Sequence, residues 1–209
     1  MAISVDKTPV PLAILISGRG SNMRAIGEAI GEGRLRAVVR VVVSNRADAP
    51  GLQWAREAGI ETVVLTAAEF QSRDAYDRAL VDALKAREVQ LVCLAGFMRL
   101  VGPAFCDAFP LAVLNVHPSL LPSFPGMDAQ AQALAHGVKV SGVTVHFVTP
   151  ELDAGPIIQQ AAVPVREGDT CETLSARILV EEHRVYPEAI QRVIDGGWRV
   201  DGRRVVMPS

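Results

Sequence analysis

The sequence predicts an α/β fold, in which an open, mostly parallel sheet carries helices on both of its faces. Three observations indicate this class. Short apolar segments alternate with amphipathic ones, several apolar segments are hydrophobic throughout, and the alternation gives way to irregular sequence after about residue 115. Strands that are apolar on both sides must be covered on both sides. Strand–helix–strand repetition produces right-handed crossovers and therefore a parallel sheet.

Five strands and three helices account for the first half of the chain. The predicted strands are short and apolar, at positions 12–16, 36–43, 61–65, 90–95 and 111–116. The predicted helices show apolar residues at helical spacing, at positions 22–32, 49–58 and 73–87. Ser72 is placed to cap the third helix, and Gly33 and Gly59 stand where the first two helices end. Together these units predict a Rossmann-like sheet.

The second half of the chain differs in character. Residues 118–128 are proline-rich and too irregular for a helix or strand, and a loop of this length is often functional. Two further strands, partly antiparallel to the first five, are predicted at positions 143–149 and 156–165. A long amphipathic helix is predicted at positions 171–194, broken by Pro187.

A single domain is predicted to span residues 1–209, because no linker, repeat or low-complexity segment divides the chain. Residues 1–9 form an N-terminal extension. Two prolines interrupt the short apolar segment near it, which indicates a first strand rather than a signal peptide. Residues 197–209 are predicted to form a C-terminal hairpin and tail, with an Asp-Gly pair at the turn.

Composition and charge exclude several classes of protein. The 209 residues carry 21 Lys and Arg against 23 Asp and Glu, a net charge of −2, whereas a protein that neutralises nucleic-acid phosphates is clearly basic. A hydrophobic fraction of 49% excludes a disordered chain, and no apolar segment approaches the roughly 20 residues of a membrane span. The three cysteines are far apart, which indicates reduced thiols in a cytoplasmic protein. We therefore expect neither a nucleic acid nor a membrane as a partner.

A glycine-rich turn, ISGRGSN, follows the first predicted strand. Gly18 and Gly20 permit positive φ and close backbone approach, and Ser21 or Asn22 can cap the next helix. Free backbone N–H groups and the helix dipole make such a turn an anion site. Met23 stands where a dinucleotide-binding turn has its third glycine, and the lysine of a nucleotide-binding P-loop is absent. The turn therefore favours a single phosphate on a small substrate, with a ligand-free tight turn as the alternative.

Asn115 and His117 end the fifth predicted strand on the same side of it, because alternate strand residues share a face. Open α/β sheets bind ligands at the carboxyl ends of their strands. Asp153, in the loop between the two later strands, can fold back beside His117 and favour its imidazolium form. An amide and an imidazolium are donors suited to an oxyanion, and the histidine can also act as a general acid. These features predict acyl transfer by direct attack, since no G-x-S-x-G nucleophile elbow is present; the alternative is a structural histidine.

Four segments carry a resemblance that covers nearly the whole chain, from about residue 12 to about residue 194. They are ISGRGSN, LAGFMRLVGPAF, NVHPSLLPSFPG and SGVTVHFVTPELDAGPII. In this order and spacing they resemble the phosphoribosylglycinamide formyltransferase family, folate-dependent enzymes of purine synthesis that have a formyltransferase fold. The N-x-H-P-S and D-x-G-P motifs are shared by all domains that use 10-formyltetrahydrofolate. ISGxGSN and the short length single out this family.

For the acceptor substrate, N1-(5-phosphoribosyl)glycinamide, the resemblance implies four binding residues. Gly20, Ser21 and Asn22 would bind its 5-phosphate through backbone N–H groups and a hydroxyl. Glu182, in the long helix, would contact its ribose and glycinamide side. The amine of this substrate would attack the formyl group, giving the N-formyl product and tetrahydrofolate.

For the formyl donor, the resemblance implies a second set of residues. Those that would hold 10-formyltetrahydrofolate are Arg73, Met98, Arg99, Leu100, Val101 and Asn115. Asn115 and His117 would flank the formyl group and donate to the developing oxyanion. Asp153 would keep His117 charged. The implied catalytic group is therefore an amide, an imidazolium and a carboxylate.

Two points accompany the resemblance. Asp128 stands where some members have a histidine in a mobile loop. Either a catalytic contribution of that histidine is missing here, or the position is peripheral and Asp128 caps a helix, which the helix-favouring sequence after it supports. No metal is expected. His183, His117 and Asp153 could be considered as a ligand set, but they lack the closely spaced pair of ligands that known metal motifs contain. The partners expected are the two small-molecule substrates, in a monomer or a homodimer.

Three alternative functions use the same residues differently. A formyltetrahydrofolate hydrolase would use water as the acceptor, but in this family it carries an additional N-terminal domain. A domain that formylates initiator tRNA would have a basic C-terminal extension. A non-catalytic nucleotide-binding module would leave Asn115, His117 and Asp153 without a role.

Overall fold

The fold is described by a computed structural model that covers residues 8–207. The predicted N-terminal extension therefore lies mostly outside the described residues, as do the last two residues of the predicted tail. The strands are β1 (Val10–Ile16), β2 (Ala37–Ser44), β3 (Thr62–Val64), β4 (Leu91–Leu94), β5 (Val113–His117), β6 (Val140–Phe147), β7 (Ile157–Pro164), β8 (Arg199–Asp201) and β9 (Arg204–Val206). The helices are α1 (Ser21–Gly31), α2 (Gly51–Glu57), α3 (Arg73–Lys85), α4 (Pro103–Ala108), α5 (Ala129–Ala135) and α6 (Cys171–Asp195).

The strands form one sheet in the order β3-β2-β1-β4-β5-β6-β7-β9-β8. Strands β1 to β5 are mutually parallel, whereas β6 is antiparallel to β5 and β7 is antiparallel to β6. β8 and β9 form an antiparallel hairpin that joins the sheet beside β7. The predicted fold class is therefore confirmed. The chain leaves β1 in one direction, towards β3, and returns on the other side at β4, so a crevice opens at the carboxyl ends of β1 and β4.

Two apolar cores lie on opposite faces of the sheet. Ile26 of α1, Leu52 of α2 and several residues of α6 pack with α5 on one face. Leu80 of α3 and Phe105 of α4 pack on the other. These side chains are almost completely buried, and each such burial contributes about 1.5–3 kcal/mol. The helices therefore cover both sides of strands β1, β2, β4 and β5, as continuous apolar strands require.

Pro187 lies inside α6 without ending it, so the predicted break was wrong. A proline in a helix interior removes one hydrogen bond and costs about 3 kcal/mol. Here the residues around it, including Tyr186 and Ile190, are fully buried against the sheet. The hydroxyl of Tyr186 lies 3.0 Å from the carbonyl oxygens of both Leu94 and Leu114. Packing and these contacts to β4 and β5 outweigh the local cost, and α6 runs on for 25 residues.

Helix α4 has no counterpart among the predicted elements. It contains only 6 residues, begins at Pro103 and follows directly on an irregular segment. So short a helix shows too little periodicity to be recognised in the sequence. None of the helices in the described part of the chain is long and apolar enough to cross a membrane.

Candidate active site

The turn after β1 has the geometry of an anion site. Gly20 has φ of 71°, and a Cβ there would lie 2.7 Å from Cε of Met23, so glycine is required. Gly18, which also permits such a conformation, does not use it, because its φ is not positive and nothing lies within 4 Å of a Cβ placed on it. Gly20 is also the N-cap of α1, with no side-chain cap, so the predicted cap by Ser21 or Asn22 was wrong. The first N–H groups of α1 therefore keep no side-chain acceptor and face the crevice.

A cavity of about 740 Å³ lies beside this turn. It is bounded by the turn, by the segment after β4, by Val116 and Pro118 at the end of β5, and by one face of α6. Among the predicted site residues, those lining it are Gly20, Ser21, Asn22, Met98 and Glu182. The cavity therefore reaches from the predicted phosphate site to the residues on either side of His117.

Asn22 and Glu182 meet inside this cavity, although 160 positions separate them in the chain. The Nδ2 of Asn22 donates to Oε2 of Glu182 at 2.6 Å, and both side chains are buried. Burial raises the pKa of Glu182, and the hydrogen bond from Asn22 opposes that rise. α1 and α6 are thus joined at a polar contact that a ligand in the cavity would touch.

Arg19 is a lining residue that sequence reasoning did not single out. It is the basic member of the set that lines the cavity, and its side chain is exposed. Within residues 8–207 it forms no salt bridge. The available signal was its position, a charged residue between the two glycines of an anion-type turn.

Ser17 connects the turn to two neighbouring strand ends. Its hydroxyl donates to Oδ1 of Asn45 after β2, at 2.6 Å, and accepts the N–H of Met98 after β4, at 2.7 Å. Its own N–H donates to the carbonyl of Gly96 at 3.0 Å. The segment that follows β4 is therefore fixed against β1 at its start.

His117 lies between two acceptors. Its Nδ1 is 3.5 Å from Oδ2 of Asp153, and its Nε2 is 2.9 Å from the carbonyl oxygen of Phe124. A carboxylate and a carbonyl can only accept, so each ring nitrogen of His117 faces an acceptor. The side chains of His117 and Asp153 are only 7% and 8% exposed. The structure thus brings His117 and Asp153 together at the carboxyl end of β5.

Asn115 is oriented by His146, which pairs with it across β5 and β6. The Nδ1 of His146 lies 2.9 Å from the carbonyl of Phe147, and its Nε2 lies 3.3 Å from Nδ2 of Asn115. Burial lowers the pKa of His146, with smaller opposing effects from the Phe147 carbonyl and from Asp153. A neutral ring with its proton on Nδ1 donates to Phe147 and accepts from Asn115. His146 therefore fixes the amide as a donor, a role that the sequence alone did not indicate.

Asp153 is held by the backbone around it. Its φ is 49°, and Oδ2 accepts the N–H of Gly126 at 2.8 Å. Two residues on, a Cβ at Gly155 would collide with the carbonyl oxygen of Phe147. The loop therefore lies directly on the end of β6, and only glycine allows that approach. Oδ1 of Asp153 also lies 3.7 Å from Nε2 of His146, but that nitrogen carries no proton in the neutral ring, so the two groups are neighbours without a hydrogen bond.

Four of the residues predicted to hold the folate, at positions 98–101, lie together after β4. Asn115 lies apart from them in β5, and Arg73 reaches them from α3. Its Nη2 donates to the carbonyl of Val101 at 2.8 Å. Met98 and Leu100 are 71% and 52% exposed, whereas Val101 is buried in the core. Arg99 lies over the ring of Tyr76. Only Met98 of this group lines the large cavity, so the segment borders the crevice rather than filling it.

Asp128 occupies the predicted N-cap position of α5, but its side chain makes no capping hydrogen bond. Its φ of 56° turns the chain into the helix in the left-handed region instead. Within residues 8–207, no group of three His, Cys, Asp or Glu side chains is arranged to hold a metal ion.

A parallel sheet with an anion-type turn and with an amide, an imidazole and a carboxylate at its carboxyl edge defines the class of α/β group-transfer enzymes. Comparison with known proteins makes the class specific. The chain belongs to the formyl transferase family, whose model matches residues 10–190.

Individual relatives are similar over most of the chain. It is 47% identical to phosphoribosylglycinamide formyltransferase of Escherichia coli K12 over 92% of this chain and 88% of that protein. It is 45% identical to the trifunctional purine biosynthetic protein adenosine-3 of Bos taurus over 94% of this chain, but it spans only 20% of that protein. Its structure matches that of glycinamide ribonucleotide transformylase 1 from Symbiobacterium toebii with a TM-score of 0.94 and 55% identity, over 96% and 95% of the two chains.

Proposed function

We propose that this chain transfers the formyl group of 10-formyltetrahydrofolate to the amine of N1-(5-phosphoribosyl)glycinamide, as a step of purine (IMP) synthesis in the cytoplasm. The observation that carries the proposal is the cavity that runs from the anion-type turn to the residues flanking His117. A substrate with a phosphate at one end and an amine at the other matches that span. The names of the similar proteins given above support the same reaction.

The phosphate would bind at the start of α1. The N–H groups of Ser21 and Asn22 and the hydroxyl of Ser21 offer donors there, and the positive end of the helix dipole favours an anion. Gly20 lets the backbone turn tightly enough to present them. Arg19, exposed at the cavity wall, adds a positive charge beside the same donors. Glu182 would then contact the ribose or glycinamide part of the substrate, further along the cavity.

The segment after β4 suits the flat, partly apolar ring system of a folate. Met98 and Leu100 expose apolar side chains to water on a segment whose backbone is fixed by Ser17 and Arg73. Exposed apolar side chains on a fixed segment are typical of a binding surface. Arg73, which is exposed, keeps further N–H groups for the carboxylates of the folate.

The chemistry would take place at the ends of β5 and β6. 10-Formyltetrahydrofolate, when bound, supplies a formyl carbon open to attack by the amine. Nδ2 of Asn115 and Nε2 of His117 would donate to the formyl oxygen as negative charge develops on it, which is the largest catalytic effect in many acyl transfers. Both donors now contact protein acceptors, His146 and Phe124, and would exchange them for that oxygen. Asp153, 3.5 Å from Nδ1 of His117, would keep the ring oriented throughout.

The proximity of the two bound substrates would supply the remaining reduction of the reaction barrier. Holding the amine and the formyl carbon in contact can lower the barrier by up to about 7–11 kcal/mol. We propose that residues 1–209 form a single domain. The proposed phosphate site and the oxyanion donors then lie at the ends of strands of the same sheet. No covalent intermediate with the protein is needed, because the substrate amine is itself the nucleophile.

An assay of tetrahydrofolate formation, with and without N1-(5-phosphoribosyl)glycinamide, tests the proposal. We expect turnover that depends on this substrate and is weak without its 5-phosphate. Equal turnover in the absence of N1-(5-phosphoribosyl)glycinamide would mean that the protein is a hydrolase.

His117→Ala and Asp153→Ala should each lower kcat by about 10²- to 10⁴-fold, the range for lost oxyanion and proton-transfer effects. Asp128→Asn, an exposed carboxylate outside the catalytic group, is the control and should keep wild-type kcat.

A further inference from the structure

Three residues on one face of α3 contact the segment that follows β4. Arg73, Tyr76 and Asp77 are at positions i, i+3 and i+4 of the helix and therefore share a face. Their contacts are with Val101, Arg99 and Gly102 respectively. One helix face thus contacts three residues of the irregular segment 98–102.

The contact made by Asp77 is the most constrained. Oδ2 accepts the N–H of Gly102 at 2.7 Å, and Asp77 is only 1% exposed. Its other oxygen, Oδ1, has no hydrogen-bond partner among the described residues. A buried carboxylate is costly unless it is paired. Keeping one here for a single backbone N–H indicates that the position of Gly102 matters.

Gly102 is matched to that carboxylate. A Cβ at this position would lie 2.7 Å from Oδ2 of Asp77 and 3.7 Å from Nε of Arg73. Residue 102 is therefore glycine because the helix face approaches so closely, and its φ of −91° requires no glycine by itself. The next residue, Pro103, begins α4, so the segment is fixed at its far end as well.

The other two contacts hold the middle of the segment. Nη2 of Arg73 donates to the carbonyl of Val101 at 2.8 Å. The guanidinium carbon of Arg99 lies 4.0 Å from the ring centre of Tyr76, a cation–π contact. With the N–H of Met98 bound to Ser17 at the near end, residues 98–102 are anchored at both ends and between them.

We infer that Asp77 is a positioning residue, whose hydrogen bond to Gly102 shapes the backbone of residues 98–101 for the folate. The inference rests on the proposed function, because that segment is where the folate would bind. Asp77 is buried between α3 and the segment and does not line the large cavity, so it acts through the segment and not by touching the acceptor substrate. Its loss should therefore weaken the binding of one substrate and spare the other.

The test compares Asp77→Ala and Asp77→Asn with Asp82→Ala. Asn keeps an oxygen that can accept the Gly102 N–H, whereas Ala does not. Asp82 is exposed on the same helix and serves as a matched loss of charge. The dissociation constant of tetrahydrofolate is measured by calorimetry, the KM for each substrate by turnover, and folding by thermal unfolding.

We expect Asp77→Ala to raise both the dissociation constant of tetrahydrofolate and the KM for the formyl donor by about tenfold or more, the effect of losing one charged hydrogen bond. The KM for the acceptor, N1-(5-phosphoribosyl)glycinamide, should stay within about twofold of the wild-type value. Asp77→Asn should recover most of the folate affinity, and Asp82→Ala should match the wild type.

Gly102→Ala keeps the carboxylate but forces the segment away from it, and it should weaken folate binding as Asp77→Ala does. The double variant Asp77→Ala/Gly102→Ala should bind folate little more weakly than Asp77→Ala alone, because the carboxylate that the new Cβ would collide with is gone. Unchanged folate affinity in Asp77→Ala, or equal loss for both substrates, would overturn the inference. A wild-type protein that binds no tetrahydrofolate and forms none would instead refute the proposed function.

Discussion

Arg19 is the residue at which this chain adds positive charge beside the proposed phosphate site. It lines the cavity beside Gly20, is exposed, and forms no salt bridge with any described residue, so its guanidinium is available to a bound phosphate. We expect Arg19→Ala to raise the KM for N1-(5-phosphoribosyl)glycinamide about 5- to 10-fold, the modest effect of an exposed charge pair. kcat should change little, because Arg19 does not face the formyl group. The wild-type KM should also rise with salt more steeply than that of the variant.

Arg24→Ala is the matched control for this prediction. Arg24 is exposed on α1, one turn further along, and does not line the cavity. Its loss removes the same charge from the protein without changing the wall of the phosphate site. Equal effects of the two substitutions would mean that Arg19 acts only through the net charge.

At the residue scale, the sequence alone could predict a site residue where its side-chain chemistry and its position in a strand or loop indicated the same site. Asn115 and His117 could be placed together because they alternate at a strand end, and Asp153 because its loop joins two later strands. The orientation of Asn115 by His146 depends on which residues of β5 and β6 are opposite one another. That register is set by long-range pairing, and single-sequence periodicity carries no information about it.

At the scale of elements, the loop that carries Asp153 depends on one glycine. A Cβ at Gly155 would collide with the carbonyl of Phe147, so Gly155→Ala must lift the loop off β6. We expect kcat to fall about 10²-fold or more, because Asp153 would no longer hold His117 oriented. The KM for N1-(5-phosphoribosyl)glycinamide should stay close to the wild-type value, since the loop does not line its cavity.

Gly31→Ala provides a control of the same chemical change. Gly31 ends α1, and nothing lies within 4 Å of a Cβ placed there. Turnover and thermal unfolding are measured on both variants. Full activity in a folded Gly155→Ala protein would show that the placement of Asp153 tolerates a shifted loop.

The elements also show where local sequence rules fail. Pro187 predicted a break, but burial of α6 against the sheet keeps the helix continuous. Ser21 and Asn22 are good capping residues, yet Gly20 takes the N-cap and leaves Asn22 free to bind Glu182. In both cases a tertiary contact outweighs a preference of about 1–3 kcal/mol that the sequence expresses locally. Ser72, whose helix end is exposed, caps α3 as predicted.

At the scale of the whole molecule, the sheet order follows from strand–helix alternation only as far as β5. Strands β6 and β7 return as an antiparallel pair, and this reversal is what brings His146 and the Asp153 loop to the end of β5. A fully parallel continuation would need a helical crossover before each strand. The side chains proposed to be catalytic therefore lie together because the sheet changes from parallel to antiparallel at that point.

Buried titratable groups couple the stability of the whole molecule to pH. Burial lowers the pKa of both His146 and His183 below the ordinary 6.5, with Asp153 and Glu28 opposing the respective shifts. The unfolded chain then binds protons near pH 6.5 that the folded chain refuses, so the free energy of unfolding falls as pH drops below that value. The raised pKa of Glu182 acts in the opposite sense, because the folded carboxyl takes up its proton at a higher pH than the unfolded one.

We expect urea unfolding to show lower stability at pH 5.5 than at pH 7.5, because this range spans the ordinary histidine pKa of 6.5 and lies above the ordinary glutamate pKa of 4.5. His183→Gln, which lies outside the catalytic group, should reduce this pH dependence, and Glu182→Gln should increase it. His136→Gln, at an exposed position, is the control and should leave the difference between the two pH values as it is. Stability that is equal at both pH values in the wild type, or a His183→Gln variant with an unchanged difference, would contradict this account.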